Sequence, residues 1–411
     1  MNKSVRILLT LIAVILWTGF VGLGFINGYL LKPITKDGSA EGFVEAARER
    51  ISNEYVGNLA MLVIENGSVA SSYFYGENQT INAQSIFPVA SVSKWVTSAA
   101  IHKLVDNEKI DLDAPIDNYL TRWNLPTSDY DNSKVTVRKL LSHSSGLVDD
   151  LGYGGFDMDE EIQTIEESLT KAADSDYSDG VAMVGYEPGS QYMYSGAAYT
   201  ILQLLIEEIS GMSFAAYMQQ EVFDPLGMTN STFVIEDRPE LSHVSVYRTD
   251  GTTRPMKRFT ALAAAGLMTS AEDLSKFISA IASNTSFLST ETIQQMAKPE
   301  TYLGDTPYYG LGPKFYSQTD QNSQIIGHDG SGNDAINAAT RLNLTTKNGI
   351  IVLETGNFSI ASNIADEWLF TEAGIADFVV LMRNKSYLLT LGIIGNLLII
   401  LGSIVLYRRK K

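Results

Sequence analysis

The sequence predicts an α/β domain in which one sheet is assembled from distant segments, an all-α subdomain is inserted between them, and one transmembrane helix lies at each end. Strand-like apolar runs occur within 59–74 and again within 324–355, and a helical pattern fills about 95–260. Strands at both ends of a domain with helices between them favour one sheet with an inserted helical layer. The domain is predicted over 41–375.

The two terminal helices are predicted from uncharged runs at 7–31 and 386–407. As helices these runs would extend roughly 33 to 37 Å, against about 30 Å for the hydrocarbon core of a bilayer. Basic residues precede the first run and follow the second, at Lys3, Arg6 and 408–411. Because such residues stay on the cytoplasmic side, both termini are predicted to be cytoplasmic and the domain between them extracytoplasmic, at the cell membrane. A cleaved signal peptide is the alternative for the first run.

Composition excludes several classes of function. The 411 residues include no cysteine, so disulfides, thiol catalysis and cysteine-ligated metal centres are ruled out. The stretch 7–382 holds 22 of the 30 basic residues and all 47 acidic ones, which gives it a net charge of −25. A domain this acidic repels nucleic acid, so a DNA- or RNA-binding role is excluded.

The predicted sheet begins with a hairpin. Residues 59–64 and 69–74 are apolar and β-branched, and Asn66-Gly67 lies between them. This dipeptide is a strong hairpin signal, because both residues tolerate positive φ. Strands are predicted again at 324–328, 335–342 and 350–355, and a closing helix at 359–371.

Ser91 and Lys94 are the candidate nucleophile and base. A helix is predicted from about Ser91 to Asp106, and three residues along a helix place Lys94 on the same face as Ser91. A serine hydroxyl reacts only when a base removes its proton, and a buried lysine loses its charge readily. Ser168 and Lys171 repeat the same spacing in an acidic stretch, and we interpret that second pair as part of a solvated helix face.

Further motifs surround the first pair in a characteristic order. They are Leu112-Asp113-Ala114-Pro115, Ser142-His143-Ser144-Ser145-Gly146, Pro188-Gly189-Ser190, Tyr194-Ser195-Gly196, Pro225-Leu226-Gly227-Met228, Ala265-Gly266-Leu267-Met268, Tyr309-Gly310-Leu311-Gly312 and His328-Asp329-Gly330. With them the chain resembles the serine β-lactamase and penicillin-binding protein family, in the branch shared by class C β-lactamases, D-alanyl-D-alanine carboxypeptidases and related esterases. The resemblance implies the β-lactamase/transpeptidase-like fold, an antiparallel sheet flanked by helices with an inserted helical subdomain.

The resemblance also implies roles for individual residues. Tyr194 would pass protons between the Ser91–Lys94 pair and the leaving group. His328 and Gly330 stand where the family has K-T-G, and His328 would help to hold a polar group of the substrate. The backbone N–H groups of Ser91 and Ser331 would form the oxyanion hole. His143 lies in a segment that is structural in the family, so packing and turn hydrogen bonds are expected of it.

One position departs from the family pattern. The family usually has asparagine two positions after the tyrosine, where it touches both the base and the amide carbonyl of the substrate, and this chain has Gly196. The change puts turnover of β-lactams and peptides in doubt more than serine acylation, so ester hydrolysis gains weight.

The sequence therefore predicts a membrane-anchored serine hydrolase that forms an acyl-enzyme on Ser91 and needs neither cofactor nor metal. Its expected substrates are D-alanyl peptides, β-lactams or esters of the bacterial cell envelope. The alternative is a non-catalytic envelope-binding or penicillin-binding membrane protein that retains the fold. The oligomeric state is not predicted.

Overall fold

Strands from both ends of the unit 47–365 pair in one antiparallel sheet. The computed structural model describes residues 3–148, 151–283, 287–317, 324–332 and 335–408. The described strands are β1 (Asn58–Glu65), β2 (Ser68–Gly76), β3 (Ile86–Pro88), β4 (Val246–Tyr247), β5 (Thr253–Arg254), β6 (Met268–Ser270), β7 (Thr301–Leu303), β8 (Thr306–Tyr309), β9 (Lys314–Phe315), β10 (Ile325–Gly332), β11 (Ile336–Asn343) and β12 (Gly349–Thr355). The sheet order is β2-β1-β12-β11-β10-β9-β8-β7, so the predicted assembly of one sheet from distant segments is confirmed.

The hairpin between β1 and β2 forms where the sequence predicts it. Asn66 and Gly67 make the turn with φ angles of 51° and 79°. Strand β1 also pairs with β12, with Asn58 opposite Thr355. Strands β11 and β12 are buried along their whole length, because protein covers both of their faces.

Helices flank this sheet and also form the smaller unit. The described helices are α1 (Lys3–Ile26), α2 (Ala40–Ile51), α3 (Val92–Asp106), α4 (Val137–Leu141), α5 (Ile165–Thr170), α6 (Gly196–Ser210), α7 (Phe214–Met218), α8 (Asp224–Leu226), α9 (Leu262–Ala265), α10 (Ala271–Ala282), α11 (Thr290–Met296), α12 (Ile360–Ala373) and α13 (Phe378–Arg408).

Helix α3 runs through the core and confirms the predicted helix at 91–106. It is apolar or small on nearly every side, and most of its residues are buried. Trp95 packs edge-on against Phe277 of α10, with ring centroids 5.3 Å apart. Close packing on all sides fixes the position of the helix start, where Ser91 lies.

The region predicted to be mostly helical is only partly so. Between α4 and α6 the described chain is irregular apart from the short helix α5. Glycines with positive φ, at Gly180 and Gly189, interrupt the helical pattern there, and Pro188 lies between them. In this segment the glycine and proline positions therefore indicate the secondary structure better than the helical periodicity does.

In the smaller unit, which comprises 1–46 and 366–411, helices α1 and α13 pack together in antiparallel orientation. The hydroxyls of Thr10 and Ser403 are 2.6 Å apart, and Asn396 donates to the hydroxyl of Thr18 at 3.0 Å. The segments Ser4–Ile26 and Phe378–Leu406 are both long and apolar enough to cross a membrane.

Candidate active site

A tight turn presents Ser91 at the start of α3. Strand β3 pairs with β6, and the Val89 amide donates to Leu267 O at 3.2 Å. Ala90 then adopts a left-handed conformation, with φ of 44°, which is unfavourable for a residue with a Cβ atom. Ser93 fixes the turn, because its hydroxyl donates to Ala90 O at 2.5 Å and accepts from the Leu267 amide at 3.0 Å. Surrounding hydrogen bonds thus hold a strained residue directly before the candidate nucleophile.

The Lys94 amine lies beside the Ser91 hydroxyl. Lys94 is 3% exposed, and its Nζ is 3.3 Å from Ser91 Oγ and 2.8 Å from Ala264 O. The amine also lies 4.8 Å from the centre of the Tyr194 ring. The structure therefore brings the predicted nucleophile, base and tyrosine together, although Ser91 and Lys94 come from the start of α3 and Tyr194 from the segment before α6.

His143 supports the Tyr194 segment from behind. Its Nδ1 accepts from the Ser195 amide at 3.1 Å, and its carbonyl accepts from the Met193 amide at 2.8 Å. Its ring lies 4.4 Å from that of Tyr194, measured between centroids. The predicted packing and turn hydrogen bonds of His143 are confirmed.

His328 lies on β10 with both ring nitrogens engaged inside the protein. Nδ1 is 2.6 Å from Asp329 O, which can only accept, so Nδ1 carries the proton. Nε2 then accepts from the Tyr309 hydroxyl at 2.7 Å. The imidazole is 2% exposed, and a direct contact between His328 and a substrate stays a prediction. Tyr309 is not among the predicted site residues, although it belongs to one of the motifs in the sequence.

Gly330 lets β10 lie against the tight turn that carries Ser91, residues 89–91, which we call the nucleophile turn. A Cβ atom added there would meet Val89 O at 2.0 Å and the Ser91 amide nitrogen at 3.2 Å. Ser331 follows, with its side chain exposed. The oxyanion-hole role of the Ser91 and Ser331 amides stays a prediction.

Protein atoms already fill the space that a side chain at Gly196 would need. A Cβ atom there would meet Leu151 O at 2.5 Å and Cε2 of Tyr153 at 2.7 Å. Tyr153 is fixed by a 2.8 Å hydrogen bond between its hydroxyl and that of Thr200. These neighbours could not be predicted from the residues around Gly196, since they come from a separate loop.

The second serine–lysine pair has a different environment from the one expected. Ser168 is 1% exposed within α5, so its interpretation as part of a solvated face is wrong. Lys171 is exposed and has extended backbone, with φ of −163°. Because the helix ends between the two residues, the spacing no longer aligns their side chains.

A cavity of about 740 Å³ adjoins the site. Ala90, Ser331 and Tyr153 are among the residues that line it. Its volume falls within the range of about 300–1,000 Å³ that is usual for small-molecule sites. Among the described residues, no group of three or more histidine, aspartate or glutamate side chains is arranged to hold a metal ion.

The chain belongs to the β-lactamase family, because the model of the family described as Beta-lactamase matches residues 44–374. Its antiparallel sheet with flanking helices is the β-lactamase/transpeptidase-like fold, as the resemblance implied.

Among proteins of known sequence, the chain is similar to penicillin-binding protein 4* of Bacillus subtilis (strain 168), with 30% identity over 205 residues, 48% of this chain and 43% of that protein. It is also similar to protein flp of Staphylococcus aureus (strain MRSA252), with 24% identity over 237 residues, 54% of this chain and 45% of that protein. The chain thus spans about half the length of these curated relatives.

Two solved structures share the fold. The octameric penicillin-binding protein homologue from Pyrococcus abyssi has a TM-score of 0.68 and 26% identity, over 82% of this chain and 78% of that one. A β-lactamase/D-alanine carboxypeptidase from Pseudomonas syringae has a TM-score of 0.64 and 17% identity, over 80% of this chain and 98% of that one. The second likeness concerns the fold alone.

Three buried histidines make stability depend on pH. Burial lowers the pKa of His102 to about 4 and that of His143 well below 6.5. Burial, with the positive charge of Lys314, lowers the pKa of His328 to about 3. Between pH 6.5 and about 4 the unfolded chain therefore binds more protons than the folded one at these sites. The free energy of unfolding is expected to fall as the pH falls through this window, and urea unfolding at a series of pH values measures it.

Glu354 provides an internal control for this pH dependence. Burial raises the pKa of its carboxyl well above 4.5. Above pH 4.5 the folded chain therefore keeps a proton there that the unfolded chain releases. Its contribution has the opposite sign, and Glu354→Gln should make the loss of stability on acidification steeper. A flat profile in the wild type, or a shallower one in Glu354→Gln, would contradict this account.

Proposed function

We propose that this protein is a membrane-anchored, extracytoplasmic serine hydrolase that acts through an acyl-enzyme on Ser91. The observation that carries the proposal is the buried Lys94 amine, 3.3 Å from the Ser91 hydroxyl. Burial disfavours an ammonium ion relative to a neutral amine, and only the neutral amine can accept the serine proton.

The reaction would proceed in two acyl transfers. Ser91 Oγ attacks the substrate carbonyl while its proton passes to Lys94, and the resulting oxyanion is held by the backbone N–H groups of Ser91 and Ser331. The bond to the leaving group then breaks, and Tyr194 delivers a proton to that group. Water, activated by the same amine and phenol, cleaves the acyl-enzyme and restores Ser91.

Two features favour esters among the candidate substrates, which are D-alanyl peptides, β-lactams and envelope esters. Position 196 offers no side-chain amide to bind a peptide carbonyl, and Leu151 O and the Tyr153 ring occupy its place. An ester is also the easier acyl donor, so it depends less on that missing contact.

The membrane anchor is supported by the pairing of α1 with α13. Contacts between Thr10 and Ser403 and between Thr18 and Asn396 hold the two helices together at two levels along their length. Antiparallel packing places Arg6 and Arg408 at the same end, where the positive-inside rule puts the cytoplasm. Because α13 packs against α1, the pairing favours α1 as an uncleaved membrane helix over a signal peptide that is removed.

A non-catalytic penicillin-binding or envelope-binding protein is the second candidate. Gly196 favours this candidate, since the asparagine side chain with which the family binds the substrate amide is absent. The closeness of Lys94 to Ser91 argues against it, because binding alone needs no buried base.

Labelling of the full-length protein in detergent separates these functions. We expect a fluorophosphonate probe to label the wild type and not Ser91→Ala, and a fluorescent penicillin to label it weakly or not at all. Equal labelling by both probes would favour a penicillin-recognising enzyme. If neither probe labels the protein, and a cooperative thermal unfolding transition shows that it is folded, the result would favour the non-catalytic binding protein.

A further inference from the structure

The cavity beside Ser91 has an apolar wall that starts at the nucleophile turn. Ala90, Val246 and Ile336 form one buried hydrophobic cluster, and Met256 packs against it. All four residues line the cavity, together with Ser331. Since Ala90 directly precedes Ser91, this apolar wall begins one residue from the candidate nucleophile.

Tyr153 forms a second wall of the cavity. Its ring takes the space that any side chain at position 196 would fill, with Cε2 only 2.7 Å from the Cβ position. Its bond to Thr200 holds the hydroxyl, so the ring has a fixed orientation. The wall is therefore aromatic where the family's asparagine would be polar.

The cavity also has charged lining residues. Asp174, Glu236 and Arg258 are among them. One oxygen of Asp174 accepts from the Gly155 amide at 3.0 Å, and Arg258 Nε lies 3.7 Å from Glu236. A long hydrocarbon chain would have to desolvate these charged groups, which sets a limit to chain length.

We propose that this cavity binds the uncharged, apolar acyl chain of a carboxylic ester, and that Tyr153 and Met256 determine its selectivity. The inference rests on the proposed acylation of Ser91. The bond from Ser91 Oγ to the acyl carbon forms as the ester C–O bond breaks and the alcohol leaves with a proton. Water then releases the chain as a carboxylic acid.

A series of p-nitrophenyl esters from acetate through butyrate, hexanoate and octanoate to dodecanoate tests the proposal. The full chain is assayed below the critical micelle concentration of each ester. We expect kcat/KM to rise by up to about fourfold per added methylene, the equivalent of about 0.8 kcal/mol for burying one CH₂ group, and then to fall for the longest chains.

Variants locate the effect in the cavity. Met256→Gln keeps the length of the side chain but makes it polar, and it should lower the ratio of octanoate to acetate kcat/KM. Tyr153→Ala should lower the same ratio, whereas Tyr153→Phe, which keeps the ring, should largely retain it. Met158→Gln is the matched control, because Met158 is 43% exposed and lies outside the cavity lining, and it should leave the ratio unchanged.

The outcomes distinguish this inference from the proposed function. Ester hydrolysis that depends on Ser91 but shows no chain-length preference, or a preference that Met256→Gln does not alter, would overturn the inference and leave the hydrolase intact. Preference for a D-alanyl peptide over every ester would also overturn it. No labelling of Ser91 by fluorophosphonate and no hydrolysis of any ester would overturn both.

Discussion

Replacing Lys94 by methionine is expected to slow acylation of Ser91 by about 10³-fold, within the range of about 10² to 10⁴ that general-base catalysis contributes. Methionine is also unbranched and fills similar space, but it has no amine to take the serine proton. Since Nζ lies 3.3 Å from Ser91 Oγ, the loss should appear in the chemical step. The rate of fluorophosphonate labelling measures the same activation of Ser91 Oγ, which in this case attacks phosphorus while fluoride leaves.

Lys103→Met is the matched control for this experiment. Lys103 lies two and a half turns further along α3, where its amine approaches Phe287 O at 3.4 Å. The same substitution there should leave labelling unchanged. Thermal unfolding of both variants tests the fold, because Lys94→Met also removes the donor to Ala264 O. A folded Lys94→Met protein that labels at the wild-type rate would show that another group is the base.

Adding one methyl group at Gly330 should have the next largest effect. The new Cβ atom would lie 2.0 Å from Val89 O, so β10 or the nucleophile turn must move. A displacement of about 1 Å at a reacting group can cost about 10² in rate, and a loss of this size in kcat/KM is expected for Gly330→Ala. The melting temperature should fall as well, since the contact is with backbone atoms that cannot rotate away.

Gly332→Ala tests whether the effect depends on position. It makes the same change two residues along the same strand, but the nearest atom to its new Cβ would be Ile336 Cδ1 at 3.4 Å, an ordinary contact. The loss of kcat/KM should therefore be much smaller than at Gly330. Similar losses at both positions would indicate a general effect on β10, and the close approach to Ser91 would then not be the cause.

Substituting asparagine for Gly196 does not simply restore the family pattern. Leu151 O lies 2.5 Å from the Cβ position, so the variant must displace the loop that carries Leu151 and Tyr153. A change in β-lactam acylation in that variant would reflect the moved loop as well as the new amide. The glycine and the loop therefore have to be altered together.

Features that depend on neighbouring residues could be predicted from the amino-acid sequence. Asn66-Gly67 makes the β1–β2 turn because both positions accept positive φ. The three-residue spacing puts Lys94 beside Ser91 because helical geometry aligns those positions. The uncharged terminal runs form the long helices α1 and α13.

Features that join residues far apart in the chain could not be predicted, because they depend on how distant segments pack. The Tyr309–His328 hydrogen bond and the filling of position 196 by Leu151 and Tyr153 join separate segments. The two serine–lysine pairs also differ in the burial of the lysine: Lys94 is buried, and Lys171 is exposed beyond the end of α5. Spacing along the chain fixes which side chains share a helix face, but which surface that face meets is set by packing between distant segments.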